Sequence, residues 1–396
     1  MSERKKCNAG PGADSAPEGV MERISQKAWR DKIPLSGSFA ITHQCNFSCG
    51  HCYVPASERR GMRDGKREVQ TSEVRRIIEE CAAEGCLYLL ITGGEPLLRE
   101  DFAEIWIHAK RQGLLLTLFT NGALISRQTI ELLSEWPPQV VEITLYGATE
   151  RTYEVVTGRP CSCKSVRRGI EMLLEAGIAV RLKSLVSSLN CRELRDMEGI
   201  AEELGLKFRM DASICPALDG DMRPLAYRLS AGQAVEAEFS NKARAADWVR
   251  FFEGQKELSA VLPENRLYDC GAGVMSFHVD AYGMLQPCLM VRTVRANLAK
   301  MSFGDGWRRI AAAMEGKLVP SEWPCGGCEC RDICGHCPGF FEMENGSETD
   351  PCAYLCEIGR LRLGHIRDLS GQLDKHGKRD CHERSENFVG AVEASV

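Results

Sequence analysis

The sequence predicts an α/β fold: parallel β/α units first, then a small cysteine-rich α+β region. Three observations predict it. Six short apolar runs alternate with helical patterns between residues 36 and 211. Four of those runs are each followed by a loop motif: the cysteine loop, Gly-Gly-Glu-Pro, Thr120-Asn121-Gly122 and Leu145-Tyr146-Gly147. Twelve of the twenty cysteines fall in two groups, Cys45 to Cys52 and Cys270 to Cys356. Strands separated by helices imply parallel units. Such units wind right-handed and carry functional loops at the carboxyl ends of their strands.

Taken in order, residues 1–35 read as a disordered or irregular lead-in. Met1 to Gly19 is polar, rich in Gly, Pro and Ser, and lacks the apolar core of a signal peptide. Ser36 to Thr42 is the first strand. Thr71 to Glu84 is a helix with Thr71 or Ser72 as N-cap and Val74, Ile77, Ile78 and Cys81 on one face. Leu87 to Ile91 is a buried strand, and Glu100 to Gln112 a helix closed by Gly113. Leu114 to Phe119 is a strand, and Ser126 to Glu135 a helix stopped by Pro137 and Pro138. Val140 to Leu145, Ile178 to Val186 and Leu206 to Met210 are strands, with helices over Ser165 to Ala176 and Arg192 to Leu204. The core is therefore placed at 36–215. A bridging region follows at 216–265, with helical character over Gln233 to Arg250. The cysteine-rich domain spans 266–370, and 371–396 is a disordered polar tail.

Composition narrows the function. A chain of 396 residues, 44% hydrophobic, can bury one large core and a smaller one. A net charge of −5 with both signs interspersed points to neither nucleic acid nor a membrane surface. No apolar run approaches the roughly 18 residues of a membrane span. Without an export signal, twenty cysteines are better read as metal ligands than as disulfides, and a cytoplasmic location is expected. The eight cysteines outside the two groups are assigned no function, since buried cysteine packs as a small hydrophobe.

Chemistry concentrates in two motifs. Cys45, Cys49 and Cys52 have the spacing C-x3-C-x2-C, just after the first strand. Thiolates are soft ligands suited to iron–sulfur clusters and zinc. A cubane normally takes four cysteines. Three leave one coordination position open, the mark of a catalytic centre. Gly93-Gly94-Glu95-Pro96 then follows the second strand. Its glycines let the backbone approach a ligand closely, and a carboxylate accepts charge-assisted hydrogen bonds from an ammonium.

Together these motifs resemble the radical S-adenosylmethionine (SAM) superfamily. The resemblance covers about residues 36 to 211 and implies a partial (β/α)6 TIM-type barrel. It implies a [4Fe-4S] cluster on the three cysteines, whose open iron chelates SAM and cleaves it to a 5′-deoxyadenosyl radical. Gly93, Gly94, Glu95 and Pro96 would hold the methionine amino group. His51 stands at the aromatic position near adenine, beside Tyr53. Asn121 would touch the ribose, and Thr144 the sugar or carboxylate. Each also has a plainer reading, as a loop histidine, a packed tyrosine, a turn Asn or a strand β-branched residue. Lys183 is read as structural.

The second cysteine group runs Cys270-x12-Gly283-x4-Cys288, then Cys325-x2-Cys328-x5-Cys334-x2-Cys337, then Cys352 and Cys356. Residues 277 to 286 read as a hairpin with a Gly turn. Paired C-x2-C spacings are a strong metal signal. The pattern resembles the SPASM extension of radical SAM enzymes, which binds two auxiliary [4Fe-4S] clusters. It departs in having two residues, not three, between Cys334 and Cys337. The resemblance puts Cys325, Cys328, Cys334 and Cys356 on one cluster and Cys270, Cys288 and Cys337 on the other, nearer the SAM site. Cys352 competes with Cys356 for the last position, and Cys330 is not a ligand. The nearer cluster either keeps an open iron or takes Cys352 or Asp269.

What the resemblance implies is an oxidoreductase acting on a ribosomal peptide or protein during maturation, by oxidation or by a thioether or C–C crosslink. A flavodoxin or ferredoxin would supply electrons. Residues 1–35 fall short of the roughly 50 residues of a minimal domain, so either a separate leader-peptide-recognition protein supplies that grip or the substrate is something else. Two alternatives stay open: a radical SAM enzyme acting on a small molecule or tetrapyrrole, of the haem-synthesis type, and a non-enzymatic iron–sulfur electron carrier. No catalytic acid or base is selected.

Overall fold

The computed structural model describes residues 19–61, 67–258 and 265–376, with side chains left out at 255–258 and 372–376. The expected tail beyond 376 and the lead-in before 19 lie outside the described residues. The elements run α1 (Val20–Asp31), β1 (Ser36–Thr42), α2 (Ala56–Arg59), α3 (Thr71–Ala83), β2 (Tyr88–Gly93), α4 (Phe102–Arg111), β3 (Leu115–Thr120) and α5 (Arg127–Glu135). They continue with β4 (Val140–Thr144), α6 (Glu150–Thr157), α7 (Ser162–Glu175), β5 (Val180–Leu185), α8 (Leu194–Glu203) and β6 (Phe208–Asp211). Then come α9 (Ala231–Phe239), α10 (Lys242–Leu258), β7 (Ser276–Val279), β8 (Met284–Gln286), β9 (Ala296–Asn297), α11 (Phe303–Glu315), α12 (Pro338–Asn345) and α13 (Ala353–His376).

All neighbours from β1 to β6 pair in parallel, in chain order. The expected β/α units are therefore present. Local chemistry explains their ends. Ser126 caps α5 by accepting from Thr129 N–H, and Gly158 leaves α6 in the left-handed region at φ 63°. At α3 the N-cap is Gln70 rather than Thr71 or Ser72. Its backbone N–H is held by the Glu73 carboxylate at 2.8 Å, completing a capping box.

Strand alternation sorts the sheet into two faces. Phe39, Ile41, Leu89, Ile91, Leu116, Leu118, Val141, Ile143, Leu182, Phe277, Val279 and Leu285 join one apolar core under the helices. Ser38, Phe119, Glu142, Lys183, His278 and Gln286 alternate with them and take the helix-free face.

Two expectations are corrected. Residues 20–31, placed in the irregular lead-in, form α1. It buries Ala28, and Trp307 on α11 donates to the Lys32 carbonyl just beyond it at 2.7 Å. The tail expected from 371 begins later, because α13 runs to His376. The helical character expected in the bridging region is present as α9 and α10. α9 packs on α13 through a buried pair, Arg362 with Glu238, at 2.6 and 2.7 Å.

The hairpin of the cysteine-rich part is β7–β8, turning at Gly283 with φ 75°. It does not form a sheet of its own. β7 pairs in parallel with β1, Ser36 with Ser276 through Phe39 with Val279, extending one sheet to nine strands.

Candidate functional site

The carboxyl ends of β1 to β4 meet around the cysteine loop. Four neighbours hold that loop in place. Ser48 N–H donates to the Thr157 carbonyl at 2.7 Å, and Cys45 N–H donates to the Arg59 carbonyl at 3.1 Å. The Arg59 guanidinium donates to the Cys49 carbonyl at 2.9 Å, and Asn121 Nδ2 donates to Asn46 Oδ1 at 2.7 Å. Gly50 lies flat on Tyr227, where a Cβ would come within 2.5 Å of the ring.

The three thiols are mutual neighbours. Burial pushes Cys45 up to about 12 and Cys49 well above the ordinary thiol range, with the charge of the other loop thiols adding to the rise. Arg59 opposes the rise at Cys45, Cys49 and Cys52. Among the described residues, no group of three or more His, Cys, Asp or Glu side chains could hold a metal ion. A mononuclear zinc needs its thiolates about 2.3 Å from one point. A cubane puts each thiolate on a different iron. Three soft thiols sharing one space fit such a cluster in donor chemistry and leave one position open. Binding would require them to ionise, and Arg59 is the cation in place to favour that.

The second motif locks onto the first. A Cβ on Gly93, at φ 147°, would stand 2.1 Å from the Thr42 carbonyl oxygen, and one on Gly94 would stand 2.2 Å from that of Gln44. Gly94 N–H donates to the Thr42 carbonyl and Glu95 N–H to that of Gln44, at 2.7 and 2.8 Å. The glycines are thus required by the backbone that leads into the cysteine loop, whereas the sequence suggests approach to a ligand. Glu95 is fully buried. Its carboxylate accepts from Leu97 N–H at 3.1 Å, Thr120 Oγ1 at 2.8 Å and Asn121 N–H at 2.8 Å. Burial raises it to about 7 against those three bonds. A carboxylate has about four acceptor positions, so one remains for an ammonium. Pro96 opens the short 3-10 turn that Glu95 caps.

The other candidates divide. Asn121 belongs to the cluster: it bridges Glu95 and Asn46, and its Nδ2 stands 4.0 Å from Cys45 Sγ. His51 is 7% exposed and its Nδ1 is buried without a partner; burial and then Arg59 hold it down to about 4. Tyr53 lies beside Cys52, Cys215 and Cys45, whose charges add to the effect of burial in raising its phenol. Thr144 ends β4 in register with Lys183, one residue beyond Ile143, the β4 partner of Thr120. Two further residues went unassigned in the sequence. Tyr146 packs on Phe47 and His51 and feels all three thiols. Arg59 has no spacing signal, because α2 positions it. Tyr146 had one signal, the Leu-Tyr-Gly motif after a strand.

Deeper on the helix-free face, Glu142 bonds Lys183 at 2.9 Å and Arg209 at 3.0 Å. The Lys183 ammonium sits 3.1 Å over the Phe119 ring, consistent with a structural role. Burial lowers Lys183 to about 8.

The C-terminal thiols fall into two sets. Cys334 is raised to about 12 by burial, then by Cys356, Cys325 and Cys328. Cys288 is raised to about 12 by burial, then by Cys337 and Cys270. Cys352 is fully buried and donates to Glu344 Oε2 at 3.1 Å, apart from both sets. Cys330 is buried with Ile333, Leu363 and Ile366, a packing role. Asp269 adjoins Cys337 and Cys270, and also pairs with Arg331 at 3.1 Å.

Residues 39–198 match the Radical SAM superfamily model. The chain carries a radical SAM domain. That family implies a [4Fe-4S] cluster and SAM. Likeness of fold to solved structures extends over most of the molecule. The crystal structure of Streptococcus suis SuiB bound to S-adenosylmethionine aligns with a TM-score of 0.62 at 15% identity, over 88% of this chain and 83% of that one. In sequence, an AdoMet-dependent heme synthase of Methanosarcina barkeri is 26% identical over 344 residues, 80% of this chain and 95% of its own length. A PqqA peptide cyclase of Bradyrhizobium diazoefficiens is 23% identical over 391 residues, 94% and 98% of the two chains. No helix among the described residues is long and apolar enough to cross a membrane.

Proposed function

We propose that this radical SAM enzyme modifies a peptide or protein substrate during its maturation. Cys45, Cys49 and Cys52 would hold the [4Fe-4S] cluster, and Glu95 would receive the SAM ammonium at its remaining acceptor position. Cluster and SAM, when bound, supply hydrogen-atom abstraction. The chain's own part is to orient and to exclude water. Asn121 and Glu95 join the loops after β1, β2 and β3, so that cluster ligands and SAM contacts move as one body. His51, Tyr146 and Tyr53 wall the thiols off from solvent. The observation that carries the reading is this junction, in which Glu95 bonds the β3 loop and Asn121 bonds the cysteine loop. Cys325, Cys328, Cys334 and Cys356 would hold one auxiliary cluster, and Cys270, Cys288 and Cys337 the other. Asp269 is the carboxylate nearest the second set.

The peptide substrate is supported by the PqqA peptide cyclase, whose similarity spans nearly both chains. The heme synthase, matched over 95% of its length, supports a second reading, in which the substrate is a tetrapyrrole. Anaerobic reconstitution tests the shared chemistry: about twelve irons per chain, as three cubanes require, and 5′-deoxyadenosine formed from SAM under dithionite. Mass change in a short peptide encoded beside the gene, against decarboxylation of an added iron porphyrin, decides between substrates. Zinc alone in anoxic protein would defeat both.

A further inference from the structure

One cation stands against the cysteine loop, and α2 sets it there. Cys45 N–H donates to the Arg59 carbonyl at 3.1 Å, and the Arg59 guanidinium donates back to the Cys49 carbonyl at 2.9 Å. Tied at both ends, the guanidinium cannot swing into solvent without breaking a bond to the loop. Arg59 is half-buried, and its Nε is buried without a partner. Among the described residues no carboxylate pairs with it. Glu58, beside it in the chain, is bonded to His43 at 2.6 Å, and Glu95 is bonded to Leu97, Thr120 and Asn121. The charge of Arg59 acts on all three thiols and on His51 between them. Glu95 acts on Cys45 with the opposite sign.

A fixed cation here does more than favour thiolates. With three thiolates, a [4Fe-4S] core carries formally one negative charge when oxidised and two when reduced. A guanidinium beside it stabilises the second state more than the first. Half-buried, it is screened less than a surface charge. Arginine also stays protonated in proteins, so the effect is permanent. The potential of such a cluster follows its net charge, the bonds to its sulfurs and its exposure to solvent.

We propose that Arg59 is the fixed counter-charge of the cluster on Cys45, Cys49 and Cys52, raising its reduction potential to within reach of a low-potential one-electron donor. This rests on the cluster assignment above and is independent of the substrate. One electron passes from the donor to the cluster; no bond forms and no proton moves. Arg59 acts through the loop and is a positioning residue.

A redox titration followed by electron paramagnetic resonance tests it, on the full, anaerobically reconstituted chain with dithionite as donor. The signal that changes when SAM is added belongs to the loop cluster, and any other cluster signal serves as an internal reference. At a fixed potential, Arg59→Gln is expected to lower the reduced-to-oxidised ratio of the SAM-sensitive cluster at least tenfold, a fall of about 59 mV for a one-electron couple. The reference signals and the iron content should not move. Arg59→Lys, which keeps the charge and gives up the planar fork, should stay within about threefold of the parent protein. An unchanged ratio in Arg59→Gln overturns the proposal. So does an equal fall in both variants, which would assign the effect to the bond with the Cys49 carbonyl. So does a fall shared by every cluster signal. Should Arg59→Gln fail to load iron on the loop while Arg59→Lys loads it, the counter-charge stands, acting already on assembly; failure of both overturns it. A parent protein with iron but no SAM-sensitive signal defeats the cluster assignment itself.

Discussion

The cysteine loop after β1 is held by its surroundings, whereas the C-terminal thiols are held by tight turns of their own segment. Around Cys45 to Cys52 the anchors come from α2, α6, the loop after β3 and Tyr227. Around Cys325 to Cys337 the bonds are local: Cys328 N–H to Cys325 O, Arg331 N–H to Cys328 O, Cys334 N–H to Cys330 O. The first region takes its shape from a sheet with a large apolar core. The second is tied to the rest of the chain by a small apolar cluster around Cys330 and Ile333 and by two long-range polar contacts, Arg362 to the Ile333 carbonyl at 2.7 Å and Arg331 to Asp269 at 3.1 Å. Metal binding should therefore contribute more to folding in the second region than in the first.

The contrast can be broken most forcefully at the loop. Replacing Cys45, Cys49 and Cys52 together by Ala is expected to abolish 5′-deoxyadenosine formation and remove about four irons, while the thermal midpoint shifts little. A large drop in midpoint would mean the loop also depends on its metal. Iron removal by a chelator is the next largest. Amide exchange across 325–337 should accelerate by at least tenfold, and across 45–52 far less; equal acceleration would erase the distinction. Sharper still is the pair Cys356→Ala and Cys352→Ala. The first should lower iron by about four per chain. The second should leave iron unchanged, because Cys352 answers to Glu344. The smallest effect lies inside the barrel. Lys183 is lowered to about 8, so between pH 8 and its ordinary range near 10.4 the unfolded chain holds a proton the folded chain has released. Stability from this group therefore rises with pH across that window. Lys183→Met should remove the rise and change stability little near pH 7, because the burial penalty on the ammonium goes together with its bond to Glu142, and Arg209 still pairs that carboxylate. Unfolding midpoints measured from pH 7 to 10.5 read both.

Much of this was legible in the sequence, for physical reasons. β1 to β6 are runs of apolar residues bounded by glycines, prolines and polar turns, so each announces itself locally. The cysteine loop and Gly93-Gly94-Glu95 were legible because their chemistry is rare at that spacing. What the glycines do was not: only the paired backbone reveals that Thr42 and Gln44 occupy the space a Cβ would need. Nor was the partner of β7, since a strand of four residues carries no mark of which edge it will join. Arg59 and Tyr146 depend on long-range placement in the same way. The helix at Val20–Asp31 was missed because its face is largely polar and packs through few residues.

The joining of β7 to β1 bears on how the chain is made. Residue 36 emerges early from the ribosome, yet its partner, residue 276, comes only after the whole set of β/α units. Until then one margin of the nascent sheet offers open N–H and C=O groups, the kind of border that recruits stray strands. Closure of that margin is a slow, sequence-distant event, and the hairpin that achieves it also carries Gln286 toward Cys288. Sealing the sheet and seating the neighbouring thiols are thus a single late step in biogenesis.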